Sequence, residues 1–460
     1  MTSTSSPESG DSISAPSGGA ASSGRTSTGV YPIYILILLL LATTLSYADR
    51  HLFSVLMPAI QAEFQIEDGA LGLIAGPGFV ISFVLLSMPL ARLADRWSRP
   101  KVLAISAGLW SLATAACGLA TGVATMTTAR VMVGVGEAGG MPPSQAIIAQ
   151  IFPVRARATA LGVLAAGTYF GLVLGLAGGG AIASEWGWRT AFLALAAPGI
   201  PLALLIWFTG PKREPAPTQT AAPRDASQRR DSMITAVRQC WAIPSLRLLA
   251  IGVGVFNVYG YAGAIWLPSY FIRSHGMSAA EAGAWLGFGA AVGGVIGSFA
   301  SGIIVDALSK HDERWRLRVP SIGFLLGFPL TIVILLLPGG AAVTLFGAQV
   351  PGVALVTVLT AFLTSLWMAP SFAVAARLVA PERRAQATAL LVVIINVMGT
   401  ALGPVIAGFV SEALTVRFEN EALRYSLLTM SVLIAVGGLI FWRASTHYGR
   451  DLATSGPADA

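Results

Sequence analysis

Twelve apolar stretches follow one another along this chain, each near or above the roughly 20 residues that a helix needs to cross a hydrocarbon layer. They centre in residues 31–58, 70–92, 101–121, 125–150, 157–184, 188–209, 247–272, 281–305, 319–338, 350–377, 385–412 and 423–443. Of the 460 residues, 55% are hydrophobic and 11% charged. A soluble domain carries about 25% charged residues, and a single soluble core stops growing near ~250–300 residues. The reading is an all-α polytopic membrane protein with twelve transmembrane helices.

The longest break is Gly210 to Gln239. It holds PKREPAPTQTAAPRDASQRRD, a polar, Pro-rich stretch suited to a flexible linker. The expected organisation is a disordered polar tail (1–30), a six-helix bundle (31–209) and a connecting segment (210–245). In that segment Met233 to Ile243, with Arg238 and Trp241, form a short interfacial helix. A second six-helix bundle (246–443) and a tail (444–460) follow. The first apolar run is too long for a cleavable signal peptide. Of the 29 Lys and Arg, Arg50 and Arg130 fall inside spans. Only Arg189, Arg273, Arg417 and Arg424 fall on one side of the layer, and the rest collect in the tails, the linker and loops 2–3, 4–5, 8–9 and 10–11. This asymmetry places both termini in the cytoplasm. It also accounts for the net charge of +7 without nucleic acid. Cys117 and Cys240 offer neither a disulfide framework nor zinc spacing.

An internal repeat relates the halves. Ala158-Thr-Ala-Leu161 leads into Gly171-xxx-Gly175, and Ala387-Thr-Ala-Leu390 leads into Gly399-xxx-Gly403. Each copy opens the fifth span of its half. Parallel repeats of this kind are one architecture of secondary transporters. In loop 2–3 the run ARLADRWSRPK, from Ala91 to Lys101, resembles the loop motif of the major facilitator superfamily through Asp95, Arg96, Arg99 and Lys101. Ala91 and Ser98 stand where glycines are usual. Gly302 and Asp306 give a weaker second copy, and Arg130-xxx-Gly134 is similar to the span-4 Arg motif. TTLSYADRHLFSVLMPAIQAEF in span 1, ARVMVGVGEAGGMPPS in span 4 and GWRTAF at span 6 resemble spinster-like members. The resemblance implies two pseudo-symmetric six-helix bundles and proton-linked transport of lysolipids or sphingoid phosphates. At the cytoplasmic end of span 2, Asp95 with Arg96 and Arg99 is expected to bond across to the facing helix ends as a gate that holds the outward-open state, with Asp306 its counterpart at the end of span 8. Gly167, Gly171, Gly175 and Gly179 in span 5 resemble an antiporter motif, with Leu176 in place of its proline. Tight helix packing explains them equally well.

The charges carry their own argument. Asp49, Arg50, Arg130 and Glu137 lie within spans 1 and 4. Each costs ~2.5–3.5 kcal/mol at the bilayer centre, so they are expected to face a cavity or one another. Asp49 lies about 16 Å from the outer end of its helix, Arg130 roughly 8 Å deep and Glu137 about 18 Å, at ~1.5 Å per residue. Arg130 and Glu137, two turns apart, share a face. The two pairs are expected to exchange partners during a transport cycle, loading and releasing a proton. The competing reading is a static neutral network that specifies helix packing.

Glu137 sits in VGVGEAGGMPPS, whose Gly134-x-Gly136-x-x-Gly139 has the spacing of a dinucleotide loop. Here it lies inside a span, with no preceding strand, so its glycines serve close helix approach and Met141-Pro142-Pro143 kinks the helix. In the C-terminal half Asn257, Tyr259, Tyr261, Trp266, Thr364, Trp367 and Asn396 are candidate cavity groups. With Tyr47, His51, Arg50 and Arg130 they suit an amphipathic anion, its head on the arginines and its tail against the C-terminal half. Neither a metal cluster nor a nucleophile with a paired base is present, so an enzyme is not expected. No cofactor is implied. The expected partners are a small-molecule or lipid substrate, protons and the bilayer. The chain is read as a monomer in a bacterial inner membrane, working by alternating access. A proton-coupled symporter of small organic anions such as sugar acids is the alternative. A non-transporting membrane sensor is a minor one.

Overall fold

A computed structural model describes residues 29–211, 238–345, 347–380 and 383–454. The tail at 1–28, most of the linker (212–237) and residues 455–460 lie outside them. So does part of the expected interfacial helix, of which 238–242 are helical. The first half comprises α1 (Val30–Phe64), α2 (Asp68–Ala75), α3 (Pro77–Arg96), α4 (Arg99–Gly118), α5 (Val123–Glu137), α6 (Met141–Ile151), α7 (Val154–Val173), α8 (Gly179–Ala196) and α9 (Gly199–Thr209). The second comprises α10 (Pro244–His275), α11 (Ala279–Gly289), α12 (Val295–Ser309), α13 (Trp315–Leu336), α14 (Gly352–Ser365), α15 (Met368–Arg377), α16 (Arg384–Ile394), α17 (Gly403–Phe418) and α18 (Ala422–Thr454). A small antiparallel hairpin, β1 (Ala342–Leu345) with β2 (Ala348–Pro351), joins α13 to α14.

Nine helical runs among the described residues are long and apolar enough to cross a membrane. Two of them contain a reversal. Val154–Thr209 turns at Gly187, whose φ of 82° suits a residue without Cβ, and Arg384–Thr454 turns at Glu419. The broken pair α5 and α6 completes twelve crossings. That break falls at residues 138–140, one turn before the expected kink. Pro142 stands in the first turn of α6, where its missing N–H costs nothing.

Glycines set the distances between helices. A Cβ on Gly171 would stand 2.5 Å from the Thr44 carbonyl oxygen, and one on Gly175 would stand 2.3 Å from that of Ala48. The repeat copies do the same. Gly403 approaches the Val258 carbonyl, and Gly399 approaches Asn257 and Tyr261. The fifth span of each half is thus laid on the first span of that half. The span-5 glycines are packing residues in this structure.

The two halves meet at the end where α1 finishes. On one side Gly180 and Gly283 let α8 and α11 touch backbone to backbone, at Ala279 and Leu176. On the other, Gly72 and Gly408 do so for α2 and α17, at Pro404 and Asp68. This end is sealed. Five-residue π-helical turns at Leu174–Gly178 and Ala290–Gly294, and a longer one at Ile395–Leu402, interrupt the spans that form these contacts.

Gly175→Val is expected to push α1 and the fifth span apart, at a cost of about 1–3 kcal/mol of overpacking. Its unfolding temperature in detergent should fall. Gly162→Ala, where an added Cβ meets nothing within 4 Å, should leave it unchanged or raise it.

Candidate functional site

Asp49 and Arg50 are neighbours on α1 and point about 100° apart around the helix, so each reaches a different partner. Arg130 Nη1 donates to Asp49 Oδ2 at 3.1 Å. Arg50 donates through Nε and Nη2 to Glu137 Oε2 at 2.5 Å. The Thr114 hydroxyl on α4 stands 2.8 Å from Asp49 Oδ1 and 2.8 Å from the Trp110 carbonyl oxygen. Asp49, Arg130 and Glu137 are each 2% exposed. Arg50 differs, with a quarter of its side chain exposed. The guanidinium of Arg50 lies over the rings of Tyr47, Phe79 and Phe83 at 4.8–4.9 Å, and that of Arg130 over Phe53 at 4.7 Å. Glu137 Oε1 and Arg130 Nε are buried without a hydrogen-bond partner.

Glycines bring the charges together. Gly134 lies against the Phe79 carbonyl, Gly136 against the backbone of Trp110, and Gly139 against Ser106. The GxGxxG spacing therefore seats α5 on α3 and α4 and forms no nucleotide loop.

Two cavities flank α1 at this level. One, of about 220 Å³, is lined by Arg50, Glu137, Tyr47, Ser46, Thr43, Trp110, Ser144, Tyr261 and Asn396. Its α1 residues all precede or include Arg50, so it extends away from the sealed end. The other, of about 190 Å³, is mostly apolar and lies mainly in the second half. Leu172, Leu176, Phe256, Leu267, Pro268 and Leu286 line it, with His51, Tyr259 and a threonine face of α14 (Thr357, Thr360, Thr364).

Of the proposed substrate groups, Arg50, Tyr47, Tyr261 and Asn396 thus converge on the polar cavity, and His51 and Tyr259 on the apolar one. Three are placed otherwise. Arg130 lines neither cavity, because its guanidinium is consumed by Asp49 and the Phe53 ring. Asn257 is 3% exposed and donates to the Val253 carbonyl one turn back. Trp367 is turned onto Phe256, at 5.8 Å between ring centroids. Trp266 is also buried, donating to the Pro404 carbonyl. The gate candidates stand at the end opposite the seal. Asp95, 63% exposed, is held by Arg99 of the same loop at 3.1 Å, and Asp306 lies 3.7 Å from Arg316.

The sequence reading missed a polar latch at the sealed end. Arg273 donates to both carboxylate oxygens of Asp68, at 3.0 and 2.9 Å, and to Gln61 Oε1. Ser411 donates to Asp68 Oδ2 at 2.6 Å, and the Gly69 N–H to Glu412. Asp68 is 6% exposed although it opens a helix. Its place directly before Gly69, the first glycine of the α2 packing face, and its spacing from Gln61 were the signals available.

Removing Arg273 leaves Asp68 buried and without its counter-charge, a change that costs about 3–5 kcal/mol in buried pairs. Arg273→Gln should therefore populate a form open at this end. A Ser184→Cys reporter, placed where Ser184 accepts from the Ala280 N–H, should then label with maleimide several-fold faster.

The comparisons with known proteins agree with this geometry. The family profile described as Major Facilitator Superfamily matches residues 39–346. An MFS-type efflux pump of Mycolicibacterium smegmatis is 32% identical over 415 residues, 90% of this chain and 92% of the relative. A probable galactarate/D-glucarate transporter of Bacillus subtilis is 26% identical over 323 residues, 64% of this chain and 69% of the relative. The crystal structure of a bacterial homologue of the human lysosomal transporter spinster, inward-facing and unoccupied, superposes with a TM-score of 0.79. It shares 25% identity and covers 92% of this chain and 99% of that one.

Proposed function

This chain belongs to the major facilitator superfamily and is a spinster-like transporter rather than an enzyme, and from that premise we propose that it couples protons to the movement of an amphipathic anion. The observation that carries the proposal is Arg50, a quarter exposed in a cavity that Glu137 also lines, and held there by Glu137 alone among carboxylates. An anionic head group competes with Glu137 for the charge of Arg50. A displaced, desolvated carboxylate is costly, and protonation removes that cost. Proton and anion therefore favour each other at this pair, which is the linkage of symport.

Substrate choice follows from the two cavities. The polar one offers Arg50, Tyr47, Tyr261 and Asn396 to a phosphate or carboxylate. The apolar one lies across α1 and suits a chain or ring. A lysolipid or sphingoid phosphate uses both. A sugar acid uses only the first, and the galactarate/D-glucarate relative favours that second reading.

Sidedness rests on the basic loops, which put the termini in the cytoplasm of a bacterial inner membrane and the sealed end outside. On that assignment the molecule is inward-open, the state named for the spinster homologue it resembles. Asp95, Arg96 and Arg99, with Asp306 in the second half, then close the cytoplasmic end in the opposite state. Asp95→Asn should bias the protein further toward inward-open, read as faster labelling of a cytoplasmic-side cysteine.

Glu137→Gln should fold normally, since the amide still accepts from Arg50, and should lose the dependence of transport on a pH gradient. The measurement is proteoliposome uptake of a labelled sphingoid phosphate, a lysolipid and glucarate, with and without the gradient. Gradient-driven uptake of glucarate alone would decide for the sugar-acid reading. Wild-type pH dependence in the mutant would overturn Glu137 as proton carrier.

A further inference from the structure

The Thr114 hydroxyl has one proton and two acceptors. Asp49 Oδ1 and the Trp110 carbonyl oxygen are both 2.8 Å away, and only one of them can receive that proton at a time. Within a helix a threonine commonly donates to the carbonyl four residues back, which here is Trp110. When it does so, its oxygen still faces Asp49 Oδ1 at hydrogen-bond distance and can only accept. The partner atom must then carry a proton. Asp49 Oδ2 is taken by Arg130 at 3.1 Å, so Oδ1 is the oxygen left to hold it.

We propose that Thr114 is a positioning residue for a second proton site, turning its hydroxyl so that Asp49 is held in one place both as carboxylate and as carboxylic acid. In the charged form Thr114 donates to Oδ1 and Arg130 to Oδ2. When a proton bonds to Oδ1, the Thr114 proton swings to the Trp110 carbonyl and its oxygen accepts from the new O–H. No other heavy atom has to move, and release reverses the step. In this proposal the proton is taken from solvent, and the polar cavity on this side of α1 is lined by Trp110 and Glu137.

The groups around Asp49 fit this role. Arg130 from α5 is its one charged partner by hydrogen bond. Arg50 on its own helix is committed to Glu137. The Cys117 thiol, one turn beyond Thr114 on α4, is fully buried. His51 turns to the other side of α1, into the apolar cavity. The hydroxyl of Thr114 is therefore the only side-chain group bonded to Oδ1 among the described residues. The inference rests on the proton-coupled reading but concerns a different carboxylate from the one paired with Arg50.

The test is infrared difference spectroscopy of the full-length protein in lipid nanodiscs during a pH titration, with Asp49→Asn identifying the Asp49 carboxyl band. In Thr114→Val the ionised form loses a charge-assisted bond and the acid form a neutral one. The first loss is larger by about 1 kcal/mol, so the Asp49 midpoint should rise by roughly half to one pH unit. The acid C=O band should move toward that of an unbonded carboxyl. Thr114→Ser, which keeps the hydroxyl, should restore both. A wild-type midpoint and band in Thr114→Val would overturn the proposal, and so would an Asp49 band that never titrates in wild type. If the band behaves as expected but transport ignores the pH gradient, the proton-coupled reading fails and the role of Thr114 stands. A Thr114→Val protein that does not fold leaves the decision to Thr114→Ala in the same measurement, with the same expected shift.

Discussion

Four charges must be kept out of hydrocarbon, and most of the first half is arranged around that requirement. Unpaired, they would cost on the order of 10 kcal/mol together, comparable to the whole stability of an ordinary domain. Two short pairs, Asp49–Arg130 and Arg50–Glu137, neutralise them. The pairs form only if α1, α3, α4 and α5 approach closely, and Gly134, Gly136 and Gly139 give the room. The same approach presses Phe79 and Phe53 on the guanidinium faces, so the cations are held by rings as well as by carboxylates. A glycine-rich run around a lone glutamate is thus one device: the glycines permit the contact and the glutamate needs it.

The halves are joined by a different chemistry. Their sealed end combines backbone contact at glycines with a small polar latch. Glycine contacts give little specific energy and break cleanly. The Asp68–Arg273 bonds are few and partly exposed on the arginine side. Such an end can hold one state without locking it. The π-helical turns lie in the spans that make these contacts, and wide turns of this kind often mark functional positions.

Charge and length were legible in the sequence because they answer to the membrane rather than to neighbours. The twelve crossings, the repeat and the isolation of four deep charges follow from hydropathy and spacing alone, and the helix-face argument for Arg130 and Glu137 needs only the 3.6-residue turn. Aromatic and amide groups were less legible. Asn257 and Trp367 sit in apolar spans like Tyr261 and Asn396, yet the first two turn inward to Val253 and Phe256, because a small rotation separates a cavity wall from a core. Arg273 looked like an ordinary loop charge. Its partner, Asp68, is more than two hundred residues away, and only the packing of the two halves brings them together. The hairpin between α13 and α14 and the π-helical turns left no pattern that periodicity can read.

Two carboxylates of equal burial can still play unequal parts, and the cations decide it. Arg50 is a quarter exposed and Glu137 lines the polar cavity, so on the proposed function Glu137 holds a charge that a substrate can claim. Asp49 has both oxygens engaged and its cation sealed behind Phe53. On the proposed function a substrate acts on the first pair directly and reaches the second through α1, which carries Asp49 and Arg50 on adjacent residues, and through α5, which carries Arg130 and Glu137. A shift of α1 that pulls Arg50 toward an anion also rotates Asp49 against Arg130. Arg130 Nε has no partner, and Glu137 lies two turns along the same helix, so the cation has a second carboxylate within the same neutral set. In the proposed mechanism the adjacency of one aspartate and one arginine on a single helix joins substrate recognition to the protonation of a residue that lines neither cavity.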